Sequence, residues 1–174
     1  MGVTAEIINN GIDLEKFRLS NIPPIRNRVL CLPRKNKEDI DQIRSLIKTK
    51  EVEFIYADAL TEEQLILEYQ KADIFLATGY PEGFGLPPLE AMRCGCTVVG
   101  FTGGGASEYM IDGETALVAQ DGDTLTAANQ LDRLLQSDSL KESIRTAGMK
   151  IASRYSLENT KKTLHKAILK IENL

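Results

Sequence analysis

The sequence has a single histidine, three cysteines, no surplus of positive charge and no long apolar run, and each shortage removes a class of function. Cys31, Cys94 and Cys96 make neither an even disulfide set nor a zinc quartet, so reduced, buried thiols are expected. His165 sits late in the chain among lysines, where a surface helix position accounts for it without a catalytic duty. A net charge of -4, with both signs mixed along the length, offers nucleic acid or anionic lipid no general attraction. Nothing approaches the roughly 20 apolar residues that cross a bilayer, and the N-terminus lacks the basic, apolar and small-residue order of a signal peptide. The chain is therefore expected to be soluble and cytoplasmic. Internal repeats and low-complexity tracts are also missing.

What is present suffices for one domain: 174 residues, 43% of them hydrophobic, can bury one well-packed core but hardly two. Residues 1–27 break at Asn9-Asn10-Gly11 and again at Asn21-Ile22-Pro23-Pro24, and read as a linker crossing onto the domain. Over 28–174, short apolar runs alternate with amphipathic stretches, which places strands at 28–32, 52–57, 73–77, 97–101 and 115–119. A helix is expected from Lys37 with Ile40, Ile43 and Ile47 inward, and another after Thr61, whose spacing to Gln64 is that of a capping box. Pro87-Pro88 suits a first helical turn, and Asp123 can cap a helix that buries Leu125, Ala128, Leu131 and Leu135. Two closing helices follow Ser139, with Leu140, Ile144, Ala147 and Ile151 inward, and Ser156, with Leu164, Ala167, Ile168 and Ile171 inward. Strands that feed helices five times imply an α/β, doubly wound, Rossmann-like parallel sheet, with ligands beyond the carboxyl ends of its strands.

The stretch from Tyr80 to Met92 lies at such an end. Gly83 and Gly85 let the backbone turn tightly and bring its N–H groups against a ligand, and the following helix adds its positive end. Glu82 and Glu90 bracket the loop, and carboxylates suit paired hydroxyls, since each oxygen accepts a hydrogen bond. Taken alone, Glu90 serves equally well as a first-turn helix carboxylate and Glu82 as a solvated turn residue.

Glu82-Gly83-Phe84-Gly85-Leu86 leading to Glu90-Ala91-Met92, then Gly95 to Val99, resembles the signature of the group-one retaining glycosyltransferases, also called family four. The resemblance extends in order through Asn10-Gly11-Ile12-Asp13, Phe17, Ala72 to Leu76, Gly104 to Glu108 and Asp112 to Val118, and so covers most of the chain. It implies the C-terminal, donor-binding half of a GT-B architecture. By resemblance, Glu90 bonds the ribose hydroxyls of a nucleotide, Glu82 faces the donor sugar, and the backbone of Gly83, Phe84, Gly85 and Leu86 meets sugar and diphosphate.

After the first strand, Pro33-Arg34-Lys35-Asn36-Lys37 gathers three cations that could meet a diphosphate and stabilise the charge on its departure. The family has glycine-arginine there and a lysine five or six residues on; Arg34 matches, Pro33 replaces the glycine, and either Lys35 or Lys37 takes the lysine's part. Gly103-Gly104-Gly105 suits either a phosphate loop or a merely flexible connection, and the resemblance implies a loop bordering the donor pocket, with Gly104 on the substrate and Glu108 a helix-start carboxylate. Asp121-Gly122-Asp123 looks like a metal-binding triplet but falls where a turn and a helix cap are expected, so no metal is assigned. No Gly-x-Gly-x-x-Gly run follows the first strand, which disfavours a nicotinamide dinucleotide; no cofactor is expected.

The resemblance thus implies metal-free transfer of a hexose from a nucleoside-diphosphate sugar to an acceptor hydroxyl, with retention at the anomeric carbon. Arg34, Glu82 and Lys37 or Lys35 would carry the chemistry, and base contacts would come from backbone near Tyr56 to Leu60. The acceptor, a glycan or lipid-linked glycan, and any membrane association belong to an N-terminal domain that this chain does not contain. The chain alone is therefore expected to bind nucleotide but to transfer poorly. A nucleotide-sugar epimerase and a non-catalytic nucleotide-sugar module are the alternatives.

Overall fold

The computed structural model describes residues 7–172, so residues 1–6 of the expected linker lie outside the described residues. The order is β1 (Ile25–Cys31), α1 (Lys37–Leu46), β2 (Glu53–Tyr56), α2 (Glu62–Lys71), β3 (Ala72–Ala77), α3 (Leu86–Arg93) and β4 (Thr97–Phe101). A 3-10 turn (Gly105–Glu108), β5 (Leu117–Ala119), α4 (Thr124–Gln136), α5 (Asp138–Ala152) and α6 (Leu157–Glu172) follow. All strand pairs are parallel, in the order β2-β1-β3-β4-β5, which confirms the doubly wound sheet. The order reverses between β1 and β3, and the loops leaving those two strands border the crevice where such sheets take ligands.

Alternate residues of each strand feed opposite cores, because side chains switch face with period two. Leu30, Phe75 and Val98 join Tyr69 of α2 and Leu89 and Met92 of α3 on one side. Val29, Cys31, Ile74, Leu76 and Val99 join Ile40 and Ile43 of α1 and Leu131 and Leu135 of α4 on the other. β3 and β4 are buried along their whole lengths, which explains why they are apolar apart from Asp73 and Thr97 near their starts. All three cysteines are free and buried, and His165 is exposed on α6.

The helix starts follow their caps. Thr61 and Gln64 form the reciprocal capping box, and Asp123 accepts from the Thr126 amide at 3.0 Å. Helix α5 begins before Ser139, because Ser137 is the cap and accepts from the Leu140 amide. Strand β1 begins at Ile25, inside the expected linker, with a register irregularity before Val29 and Asn27 in the left-handed region. The linker is also packed: Ile12 and Phe17 are buried, and Ile12 forms a parallel bridge with Ser156. Strand β5 is shorter than 115–119, since the Thr115 hydroxyl is spent on the turn, donating to the Tyr109 carbonyl and accepting from the Ile111 amide.

Two inward faces differ from expectation. Leu125 of α4 is 59% exposed, and the buried stripe shifts to Ala127, Ala128, Leu131, Leu134 and Leu135. Among the described residues of α6 only Ala167 is buried; Leu164, Ile168 and Ile171 face outward, because no described element covers that side.

One buried carboxylate ties the helix layer to the sheet edge. Asp132 of α4 accepts from the amides of Lys48 and Thr49 at 2.8 and 2.9 Å and from the Thr49 hydroxyl at 2.7 Å. Burial pushes its pKa up, but the Thr49 hydroxyl, the two amides and the Lys48 charge outweigh burial and hold it below the usual carboxylate value. A depressed folded pKa contributes stability that is complete above the unfolded value and is lost as pH falls through the folded one. Asp132→Ala should therefore cost about 2–3 kcal/mol at pH 7. That deficit should shrink on acidification below about pH 4, as read from urea unfolding of both proteins at each pH.

Candidate active site at the switch point

The loops after β1 and β3 are bound to each other. Asn36, left-handed at φ 51°, donates its side-chain amide to the carbonyls of Thr78 (3.0 Å) and Tyr80 (2.9 Å). Lys35 reaches across to the Pro81 carbonyl at 2.8 Å and to Glu82 Oε1 at 2.9 Å. The Tyr80 hydroxyl returns to Asp39 Oδ2 at 2.8 Å. Sequence reasoning missed Asn36; its readiness to adopt left-handed backbone was the available signal.

The two glycine loops are also paired. The Glu82 amide donates to the Gly103 carbonyl at 2.8 Å, and the Gly105 amide to the Glu82 carbonyl at 3.2 Å. A Cβ on Gly105 would stand 2.4 Å from the Gly83 carbonyl carbon, so that glycine is demanded by packing. Around Gly83 and Gly104, by contrast, a Cβ would meet nothing within 4 Å. Within these two loops, those are the places where the backbone lies open to close approach.

Gly85, at φ 79°, starts α3 without a side-chain cap, and its carbonyl accepts from the Tyr109 hydroxyl. Pro87 and Pro88 have no N–H, so the helix end supplies fewer donors than a free first turn. No bond among the described residues occupies the amides of Gly83, Phe84, Gly85 or Leu86. Those four amides are the available donors. The Phe84 ring is fixed by Tyr109 and Tyr155, each 5.7 Å away between centroids.

Arg34, Lys35, Thr78, Glu82 and Gly85 line one cavity between the ends of β1, β3 and β4, with Phe75, Pro88 and Ala106 beneath. Its volume is about 50 Å³, far below the ~300 Å³ of a typical small-molecule pocket. Only a small part of a ligand fits inside; the rest must lie over the open rim. Arg34 is exposed at that rim, with no ion pair or hydrogen bond among the described residues. Lys37 lies elsewhere, in the first turn of α1 with its ammonium 3.6 Å from Asp41. Of the three cations, the structure brings Arg34 and Lys35 to the cavity and leaves Lys37 outside its lining.

Glu90 is the fifth residue of α3, past the first turn, so it has no capping role. Its half-buried carboxylate accepts from the Tyr69 hydroxyl at 3.2 Å. Burial raises its pKa, the Tyr69 bond opposes that, and Glu62 adds to it. Burial raises the Tyr109 pKa, and the Glu90, Tyr155 and Glu82 charges add to it; Glu82 lines the cavity, whereas Glu90 is not among its lining residues. Asp121 and Asp123 hold the Gly103 amide and the α4 cap, as a turn requires.

Cations on one lip of the switch-point crevice, with free amides and the Glu82 carboxylate on the other, suit an anionic, hydroxyl-bearing ligand on a Rossmann-like domain of the GT-B kind. Residues 17–151 match the family model for glycosyl transferases group 1, and the chain belongs to that family. It is therefore a glycosyltransferase domain. It is 32% identical over 117 residues to a D-inositol 3-phosphate glycosyltransferase of Corynebacterium diphtheriae, covering 67% of this chain and 27% of the relative. The chain thus spans about a quarter of the length of that relative. The fold matches the C-terminal domain of a group 1 glycosyl transferase from Francisella tularensis, with a TM-score of 0.70, 20% identity, 84% of this chain and 100% of that one. It also matches Anabaena HepE, solved in complex with UDP and glucose, with a TM-score of 0.75, 17% identity, 96% of this chain and 56% of that one. No helix among the described residues is long and apolar enough to cross a membrane.

Proposed function

We propose that this chain is the donor-binding domain of a retaining glycosyltransferase, which passes a sugar from a nucleoside-diphosphate sugar to an acceptor hydroxyl. The convergence of Arg34, Lys35, Glu82 and Gly85 on one switch-point cavity supports this function. The diphosphate lies over the rim, met by Arg34, Lys35 and the amides from Gly83 to Leu86. Lys35, in the cavity wall, takes the lysine's part in preference to Lys37. Glu82 positions the sugar, the open face of Gly104 borders it, and Glu90 takes the ribose diol. Catalysis is then orientation of the donor and stabilisation of the leaving diphosphate, with no second carboxylate acting as nucleophile. The domain works in the cytoplasm, on a soluble donor pool; the acceptor glycan or lipid-linked glycan, and any membrane association, fall to a second, N-terminal domain.

Calorimetric titration with nucleoside diphosphates and their sugars tests this. At least one diphosphate should bind, Arg34→Ala should weaken it at least tenfold, and the chain alone should turn over donor poorly. Absence of binding by every common nucleoside diphosphate would falsify the assignment.

A further inference from the structure

We propose that Tyr69 is a positioning residue for nucleotide recognition: its hydroxyl holds the Glu90 carboxylate in the orientation that receives a ribose diol. This rests on Glu90 being the ribose ligand. Tyr69 is the one residue of α2 that is fully buried, and its ring is fixed edge-on between Phe17, at 6.4 Å, and Phe75, at 5.6 Å. A phenylalanine would fill the same space with no polar atom to satisfy, whereas a buried hydroxyl is costly unless bonded. That hydroxyl has one partner among the described residues, Glu90 Oε2 at 3.2 Å, and is the only side-chain donor to that carboxylate.

The geometry divides the work of the carboxylate. A carboxylate offers about four acceptor positions; Tyr69 occupies one on Oε2 from the protein side, and the others remain for a ligand. Burial and Glu90 both keep the phenol protonated, so its O–H is there to donate to the carboxylate. Tyr69 also counters the burial and the Glu62 charge that favour a protonated Glu90, and a protonated acid would lose acceptor capacity. Locked by two rings, the phenol denies Glu90 the rotation that would turn its free lone pairs away from the diol.

The test compares wild type and Tyr69→Phe in the intact protein, by calorimetry with uridine and guanosine diphosphates and their 2′,3′-dideoxy forms. Wild type should prefer the ribose form of the diphosphate it binds. Tyr69→Phe should bind that form roughly five- to tenfold more weakly, and the dideoxy form within about twofold of wild type. An unchanged preference in Tyr69→Phe overturns the proposal while leaving Glu90 as the ribose ligand. An equal loss for both forms marks a merely structural hydroxyl and overturns it too. A wild type that ignores the diol removes the ribose assignment of Glu90 itself, and the proposal with it.

Discussion

Arg34→Ala should lower sugar transfer by the intact protein about 10²- to 10³-fold, the range seen when one preorganised donor to a developing oxyanion is removed. Lys35 is already balanced by Glu82 at 2.9 Å and by the Pro81 carbonyl, so its charge is partly spent before a ligand arrives. Arg34 has no such partner among the described residues, and its charge is available in full. Negative charge grows on the leaving diphosphate as the glycosidic bond breaks, so the loss should fall more on kcat than on KM. Arg34→Lys should recover part of it, because the charge returns without the planar fork. Lys37→Ala should change transfer less than about twofold, since its ammonium lies by Asp41, outside the cavity lining. Steady-state kinetics on the three variants decide the matter; an Arg34→Ala enzyme with near-normal kcat would leave the site without its principal cation.

Asp73→Ala should destabilise the fold by about 3–5 kcal/mol, a third or more of what holds a typical domain together. Asp73 stands at the amino end of β3, buried, bonded to Lys141 Nζ at 2.6 Å, to Arg145 at 2.5 Å and to the Asn27 amide at 3.1 Å. Lys141 is buried with it, so removing the carboxylate leaves a buried ammonium with only the longer pair to Asp138, at 3.6 Å. Lys141→Met should cost less, because Arg145 still satisfies Asp73 and methionine fills the space. The double variant should then be more stable than Asp73→Ala alone, which is the signature of an uncompensated charge. Urea unfolding of the set measures this. A loss below about 1 kcal/mol for Asp73→Ala would reduce the network to the value of a surface pair.

How much of this was legible beforehand depended on whether the signal was local. Strand β4 lies where the sequence places it, at 97–101, since this short β-branched and apolar run falls between the turn at Gly95 and the glycines 103–105. The loop from Glu82 to Leu86 was readable because glycines, prolines and carboxylates act through their own backbone. The choice between Lys35 and Lys37 was not, because it turns on Asn36: its left-handed conformation leaves Lys35 in the loop and sends Lys37 into α1. Asp73 looked like one polar residue in an apolar strand; its partners lie 68 and 72 residues further on, beyond any periodic pattern. Helix α6 shows the reverse limit. Its 3.6-residue stripe was visible, but periodicity reports that a face is apolar and not what lies against it.

The bridge between Ile12 and Ser156 carries a consequence for descent. The Ile12 amide donates to the Tyr155 carbonyl at 2.9 Å and the Leu157 amide to the Ile12 carbonyl at 3.0 Å, so the segment that enters the sheet and the turn that leads out of it into α6 meet at one spot. A unit with adjoining entry and exit can be grafted as a cassette, because a host needs to match only one junction on its surface. A block exchanged there between relatives would carry the whole sheet and its switch-point cavity together.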